Sequence, residues 1–190
     1  MSEIKHLSLA ELEAGLDEIR RSPKDEGILK MIVARPGVNE RKILETGELD
    51  LEKGLIGDNW KTRGSSRTNN GFGYPEMQLN IMNSRAISLI ANTKERWHLA
   101  GDQLFVDLDL SEENLPPGSR LEIGSAIIEI TSIPHNGCKK FTNRFGIDVV
   151  KFVNSEAGKQ LHLRGLNAKV VKAGTIKTGD IVKNSKTSKR

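Results

Sequence analysis

What most constrains this chain is its punctuation. From about Gly27 onward, short β-like segments recur, and glycine-bearing turns separate several of them. The segments are 28–34 (Ile-Leu-Lys-Met-Ile-Val-Ala), 78–82 (Gln-Leu-Asn-Ile-Met), 103–108, 119–123, 126–131, 167–172 and 176–182. Pro116-Pro117-Gly118 and Thr178-Gly179-Asp180 are the clearest turns between them. Between the strands, 84–91 and 147–154 have room for short helices. Many short strands with few helices favour a mostly-β fold over a parallel α/β sheet. A closed or nearly closed β-barrel is the expected form, because closure hides the strand edges.

Ahead of the barrel, residues 8–20 read as one amphipathic helix. Leu9, Leu12, Leu16 and Ile19 fall on one face at spacings of three and four. Ser8 and Glu11 have the spacing of a capping box, and Pro23 ends the helix. The apolar face predicts docking on the main domain or on a second copy of the chain. The expected organisation is a helical extension at 1–25, a barrel domain at 26–183 and a basic tail at 184–190.

Lysine and arginine number 29 against 25 aspartates and glutamates. Residues 183–190 hold four of the basic residues and no acidic one, so the body without them is balanced. A nucleic-acid-binding domain carries its basic excess on the folded body, with aromatics for stacking. Here aromatics are only 4% of residues, so no nucleic-acid partner is expected. The longest apolar runs span a few residues, and the start is polar. No membrane span or signal peptide is expected. One cysteine, Cys138, allows no disulfide within the chain and fits a reducing cytoplasm.

Two segments carry chemistry. Residues 61–75 form a polar, glycine-rich stretch in which Arg63 and Arg67 are candidates for clamping an anion, although a solvated loop is the commoner outcome. Residues 131–146 surround Cys138. Lys139, Lys140 and Arg144 follow the thiol, and positive potential favours thiolate, the nucleophilic and metal-binding form. Pro134 and Gly137 mark a turn, and 138–145 reads as a helix whose N-terminal end adds to that potential. His135, three residues earlier, is placed to exchange a proton with the thiol or to support it. By itself a lone cysteine is most often a small buried hydrophobe. Phe141, Phe145 and Phe152 read as core. His6, His98, His135 and His162 are scattered, and one His-x-x-Cys pair is half a zinc site.

Taken in order, these pieces resemble the MOSC family, the molybdenum-cofactor sulfurase C-terminal domain. Gly54-Leu-Ile-Gly57-Asp58 and Gln78-Leu-Asn-Ile-Met82 are similar to its early motifs. Ala100-Gly-Asp-Gln-Leu104, Glu113-Asn114-Leu115 and Gly118-Ser-Arg-Leu121 are similar to the middle ones. His135-Asn-Gly-Cys138-Lys139-Lys-Phe141 resembles the cysteine motif, and Arg164-Gly165 with Ala173-Gly-Thr-Ile-Lys-Thr-Gly179-Asp180 resembles the end. The match spans about residues 27–183. In sulfurase-type members the cysteine directly follows proline. Here Asn136-Gly137 precedes it, the form of short stand-alone members.

The resemblance implies a mostly-β barrel and a role in handling molybdenum cofactor or sulfur. Cys138 takes the place of the cysteine proposed to ligate molybdenum or to carry sulfur as a persulfide. Some relatives use the bound cofactor to reduce N-hydroxylated compounds, including hydroxylamino bases. A soft thiolate suits a metal–sulfur centre, and the cofactor's phosphate needs cations, for which Lys139, Lys140, Arg144 and Arg164 are candidates. Asn114 and Gln78 are candidates for reading the pterin edge, and equally for satisfying strand ends. Asp58, Asp102 and Asp180 read as turn aspartates, with Asp58 the one that could face the site.

Three functions compete. One is a molybdenum-dependent reductase of a small molecule, fed by a separate redox partner. The second is a non-catalytic carrier of sulfur or cofactor, loaded by a cysteine desulfurase. The third is an inert barrel that pairs into a homodimer through helix 8–20.

Overall fold

The computed structural model describes residues 5–185. Its spine is β1 (Glu26–Ala34), a nine-residue strand shared by three neighbours. After it come β2 (Lys42–Leu44), β3 (Thr46–Asp50), β4 (Gly54–Leu55), β5 (Leu79–Asn83) and β6 (Leu104–Asp107). Then follow β7 (Arg120–Ile123), β8 (Ala126–Ile130), β9 (Leu166–Lys172), β10 (Gly174–Lys177) and β11 (Ile181–Ser185). Pairing runs β11-β7-β8-β9-β5-β6-β1 and returns from β1 to β11. Seven strands thus close into the barrel that the sequence predicts, with β2 appended to β1. A separate sheet, β10-β3-β4, covers part of it.

Closure depends on β1 changing partners along its length. Glu26–Ile28 pair with β11, Ile28–Ile32 with β6 and Ile32–Ala34 with β2, and a register shift falls between Leu29 and Met31. Such a bulge bends the strand, which is how one strand serves two directions. Only β5 and β6 pair in parallel among the ring neighbours. Parallel strands need a crossover, here supplied by α4 (Ser84–Ala91), the fourth helix after α1 (Leu9–Ala14), α2 (Leu16–Arg20) and α3 (Trp60–Arg63).

Strand alternation sorts the apolar residues into two cores. Leu29, Ile32, Leu79, Ile81, Leu104 and Val106 fill the barrel. Their neighbours Met31, Val33, Met82 and Phe105 point outward and are buried nonetheless, because helices cover that side. The covering set includes α1, α4, α5 (Lys139–Phe145) and α6 (Ile147–Val153), with Phe141, Phe145 and Phe152 as its largest side chains. The core reading of those phenylalanines therefore describes their position.

Several elements differ from their expected form. The 8–20 helix is interrupted at Gly15 into α1 and α2, and the position takes glycine because a β-carbon there would come 2.6 Å from the Leu89 side chain. Its capping box forms: the Ser8 hydroxyl accepts from Glu11 N, and the Glu11 carboxylate accepts from Ser8 N at 2.8 Å. Leu12 and Ile19 are buried against the chain's own outer core. The 176–182 segment is two strands, β10 and β11, folded at a turn where Asp180 accepts from Lys177 N. Residues 61–63 continue α3. The strand β11 runs to Ser185, so residues 184–185 of the expected tail sit in the barrel. Residues 186–190 lie outside the described residues.

Candidate functional site: a cationic pocket at the barrel end

β1 ends by running an apolar strand into a charge. Arg35, directly after Ala34, is only 5% exposed. Asp58 meets it with both carboxylate oxygens: Arg35 Nε donates to Oδ2 at 2.8 Å and Nη2 to Oδ1 at 2.9 Å. The same carboxylate also accepts from the backbone of Arg35 and Trp60. Bidentate pairing of this kind fixes the guanidinium plane as well as its charge. Arg35 Nη1 reaches on to the carbonyl of Gly101 at 3.1 Å and to Asn80 Oδ1 at 3.4 Å. Asn80 in turn donates to Asn167, and Asn167 donates to the carbonyl of Ile133. A buried polar chain thus ties the ends of β1, β5 and β9 to the 131–138 loop.

Asp102 forms the second anchor. It is fully buried, and Arg164 Nη1 donates to its Oδ2 at 2.6 Å while Arg164 Nη2 donates to the carbonyl of Ala100 at 3.0 Å. The Arg164 guanidinium also lies 4.5 Å over the Phe141 ring. Burial pushes the Asp102 carboxyl up, against the pull of Arg164. Its Oδ1 has no hydrogen-bond donor among the described residues and faces His135 Nδ1 at 3.6 Å. Burial, then Arg164 and Arg35, hold the His135 imidazole well below its ordinary value, so the ring is neutral at physiological pH.

These anchors bound a pocket of about 270 Å³. Cys138 and His135 line it together with Arg35, Arg41, Arg63, Lys140, Arg144 and Arg164, and no aspartate or glutamate does. Arg35 and Arg164 have their carboxylates. The other four cations make no salt bridge among the described residues. Arg41 and Arg144 crowd the same spot: a β-carbon on Gly101 would lie 3.4 Å from Arg41 Nη2 and 3.8 Å from Arg144 Nη1. Arg41 is held below the usual guanidinium range by burial and by the charges of Arg144 and Arg35. Arg63 is lowered in the same way, by burial and by Arg35. The buried Nε atoms of Arg41 and Arg164 have no acceptor among the described residues. Asp58 offsets part of the charge on Arg41 and Arg63, but unpaired donors and an excess of cations over carboxylates call for an anion.

Cys138 sits at the mouth, exposed and at the N-cap position of α5. It is not the buried hydrophobe that a lone cysteine most often is. The adjoining turn is pinned by Gly137 N donating to Asn154 Oδ1 at 3.0 Å.

The candidates separate by position. His135, Cys138, Lys140, Arg144, Arg164 and Arg63 line the pocket. Asp58 stands beneath it, holding Arg35. Lys139 is exposed and Arg67 lies in the exposed 64–74 loop, and neither lines the pocket. Gln78 spends its amide inside the barrel, donating to the carbonyl of Leu51 and accepting from Val170 N. Asn114 donates to the carbonyls of Lys24 and Asp109. Both amides take the structural role left open for them. Arg35 and Arg41 were not anticipated. Arg35 had a signal, a charge closing a buried apolar run before Pro36-Gly37. Arg41, in Glu40-Arg41-Lys42, had none.

Comparison with known proteins agrees with this architecture. The model of the MOSC domain matches residues 71–183, more than half of the sequence, and the chain belongs to the MOSC family. The Gly54–Asp58 motif falls outside the matched span. A search of curated proteins finds no match. Among solved structures, the YuaD protein of Bacillus subtilis is similar at 16% identity with a TM-score of 0.61, over 85% of this chain and 97% of that one. YiiM of Escherichia coli is similar at 18% identity and a TM-score of 0.53, over 86% of this chain and 72% of that one. YiiM of Geobacillus stearothermophilus gives 16% identity and 0.56, over 85% and 75%. At these identities the likeness concerns the fold. Among the described residues no helix is long and apolar enough to cross a membrane.

Proposed function

We propose that the cationic pocket binds molybdenum cofactor, with Cys138 as the protein's ligand to the metal, and that the protein reduces N-hydroxylated compounds. One observation carries the reading: an exposed thiol shares a pocket with four cations that make no salt bridge among the described residues. The residues fit such a group. Arg41, Arg63, Lys140 and Arg144 would hold its phosphate, Arg35 and Arg164 would be fixed donors oriented by Asp58 and Asp102, and the Cys138 thiolate suits a soft metal. The bound cofactor supplies two-electron redox chemistry. The overall reaction takes R–NH–OH, two electrons and two protons to R–NH₂ and water, with the electrons drawn from a separate redox protein. His135, neutral and set against Asp102, is the chain's own group for holding a proton at the pocket wall.

The test is turnover. Protein from a cofactor-competent host, given a chemical reductant, should convert a hydroxylamino base to the amine, and Cys138→Ala should not. Loaded protein that stays inert with every hydroxylamino substrate and reductant tried would overturn the reductase reading.

The exposure of Cys138 also favours a second reading, a carrier of sulfur or cofactor. A thiol at the mouth is open to a donor protein such as a cysteine desulfurase. That reading expects a gain of one sulfur in the mass of the wild type, absent from Cys138→Ala, after anaerobic incubation with the desulfurase and cysteine. No added mass would contradict it.

A further inference from the structure

The cations at this end of the barrel extend beyond the pocket. Three of the segments that wall it, residues 35–42, 59–75 and 132–147, hold nine lysines and arginines and a single carboxylate, Glu40. Arg35 is met by Asp58 and Lys61 by Glu52, and the other seven make no salt bridge among the described residues. Four of those seven line the pocket, and the remaining three, Lys42, Arg67 and Lys139, are exposed and do not. They stand on three different segments. Lys42 follows Arg41, Arg67 comes four residues after Arg63, and Lys139 lies between Cys138 and Lys140. Their charges are left for something that lies over the mouth.

The far end of the barrel has no such excess. β1 runs from Glu26 to this mouth, a span of up to about 30 Å for an extended strand of its length. Beside its start, residues 107–113 carry four carboxylates and no lysine or arginine, and Asp109 N donates to the Pro23 carbonyl. The cations near them, Arg20, Lys24 and Arg85, are shared with Asp17 and Glu18. A body of balanced total charge is thus polarised along β1, and its field turns the cationic mouth toward an approaching negative surface. Val38, 76% exposed on the pocket rim, adds an apolar side chain to the same face.

We infer that this face docks a second protein, one that presents a cluster of carboxylates over the pocket mouth to Lys42, Arg67 and Lys139. A small anion is satisfied inside the pocket, whereas cations on three segments around it are met together by a macromolecular surface. Nucleic acid fits less well, because among the exposed large hydrophobics of these segments Phe72 alone is an aromatic on which a base could stack. The use of the face as the entry point for electrons rests on the reductase reading above. A one-electron donor docks there twice per turnover and is oxidised each time, which supplies the two electrons that the reaction consumes. The docking itself does not rest on that reading, and is measured on protein without cofactor.

The probes are two small one-electron carriers of opposite charge, an acidic plant-type ferredoxin and a basic cytochrome c. In calorimetric titrations at low salt, ferredoxin should bind and cytochrome c should not. A rise from about 20 to about 200 mM salt should weaken ferredoxin binding about tenfold or more. Lys42→Glu with Lys139→Glu should weaken it about tenfold at low salt, with the melting temperature held. Lys172→Glu with Lys183→Glu makes the same change in net charge at exposed positions away from the mouth, and should stay within about twofold of wild type. Absence of ferredoxin binding at about millimolar concentration, or equal weakening by the two double variants, would overturn the inference. So would a single-stranded oligonucleotide that binds more tightly than ferredoxin and is lost on the Lys42 and Lys139 reversal. Self-association at low salt that this reversal removes would give the face to a second copy of the chain, and overturn it too. Lack of turnover by loaded protein would bear on the reductase reading alone.

Discussion

Asp102 Oδ2 stands 2.6 Å from Arg164 Nη1, the carboxylate fully buried and the guanidinium 7% exposed. Around this one contact the end of the barrel is organised: Arg164 lines the cationic pocket, and the second oxygen of Asp102 faces His135. A buried ion pair is costly to form and costlier to break, because removal of one member strands the other charge.

Asp102→Ala is therefore expected to lose about 3–5 kcal/mol of stability by urea denaturation at pH 7.5. Replacing both members, Asp102→Leu with Arg164→Met, should recover a large part of that loss while leaving anion binding weakened. A loss below about 1 kcal/mol in the single variant would mean that the pair does not hold the barrel end together.

The neutral imidazole of His135 makes stability depend on pH. Its folded value is depressed well below 6.5, so the unfolded chain takes up a proton that the folded chain refuses. Protons then favour unfolding. The contribution is intact above about pH 6.5 and is lost as pH falls from there toward the lower folded value. His135→Gln should flatten the stability profile between about pH 6.5 and 5. Asp102, raised by burial, acts in the opposite sense but is present in both proteins. Parallel profiles for wild type and variant would contradict the assignment.

Arg41 has Arg144, Arg35 and Arg63 around it against the single carboxylate of Asp58, and among the described residues its one hydrogen bond goes to the carbonyl of Glu40. Arg41→Gln should leave the melting temperature of ligand-free protein unchanged or higher. It should also weaken inorganic phosphate binding about tenfold, the loss of a charge-assisted contact. Both effects are read from melting temperature against phosphate concentration. Unaltered phosphate stabilisation would place the anion elsewhere.

The N-terminal helix is part of the fold. Leu12 is fully buried in the outer core, so Leu12→Ala should cost about 2–5 kcal/mol in urea denaturation. A cost under about 0.5 kcal/mol would show that the helix is not docked on the barrel in solution.

Strands in the second half of the chain were legible because their apolar runs are bounded by turns, as at Pro117-Gly118 and Ser125. β2, β3 and β4 were not. They are two to five residues long, and Lys42-Ile43-Leu44 carries no alternation. The interruption at Gly15 was not legible either, since the apolar spacing of Leu9, Leu12, Leu16 and Ile19 runs straight through it. The thiol's surroundings could be read because Cys138, Lys140 and Arg144 are close in sequence. Arg35, Arg41 and Arg63 reach the same pocket from other elements, and only the closed barrel brings them together. Gln78 and Asn114 show the converse: a polar side chain in a motif can be consumed by the backbone beside it.

The central claim is that Cys138 and the cations around it hold one phosphate-bearing metal cofactor. Its most direct test is molybdenum content and pterin-derivative fluorescence of protein purified without oxygen from a cofactor-competent host, beside Cys138→Ala. The account predicts molybdenum and pterin in equal amounts, near one per chain, in the wild type, with the metal lost from the variant. Wild-type protein that stays empty, under conditions that load a control molybdoenzyme, would contradict it.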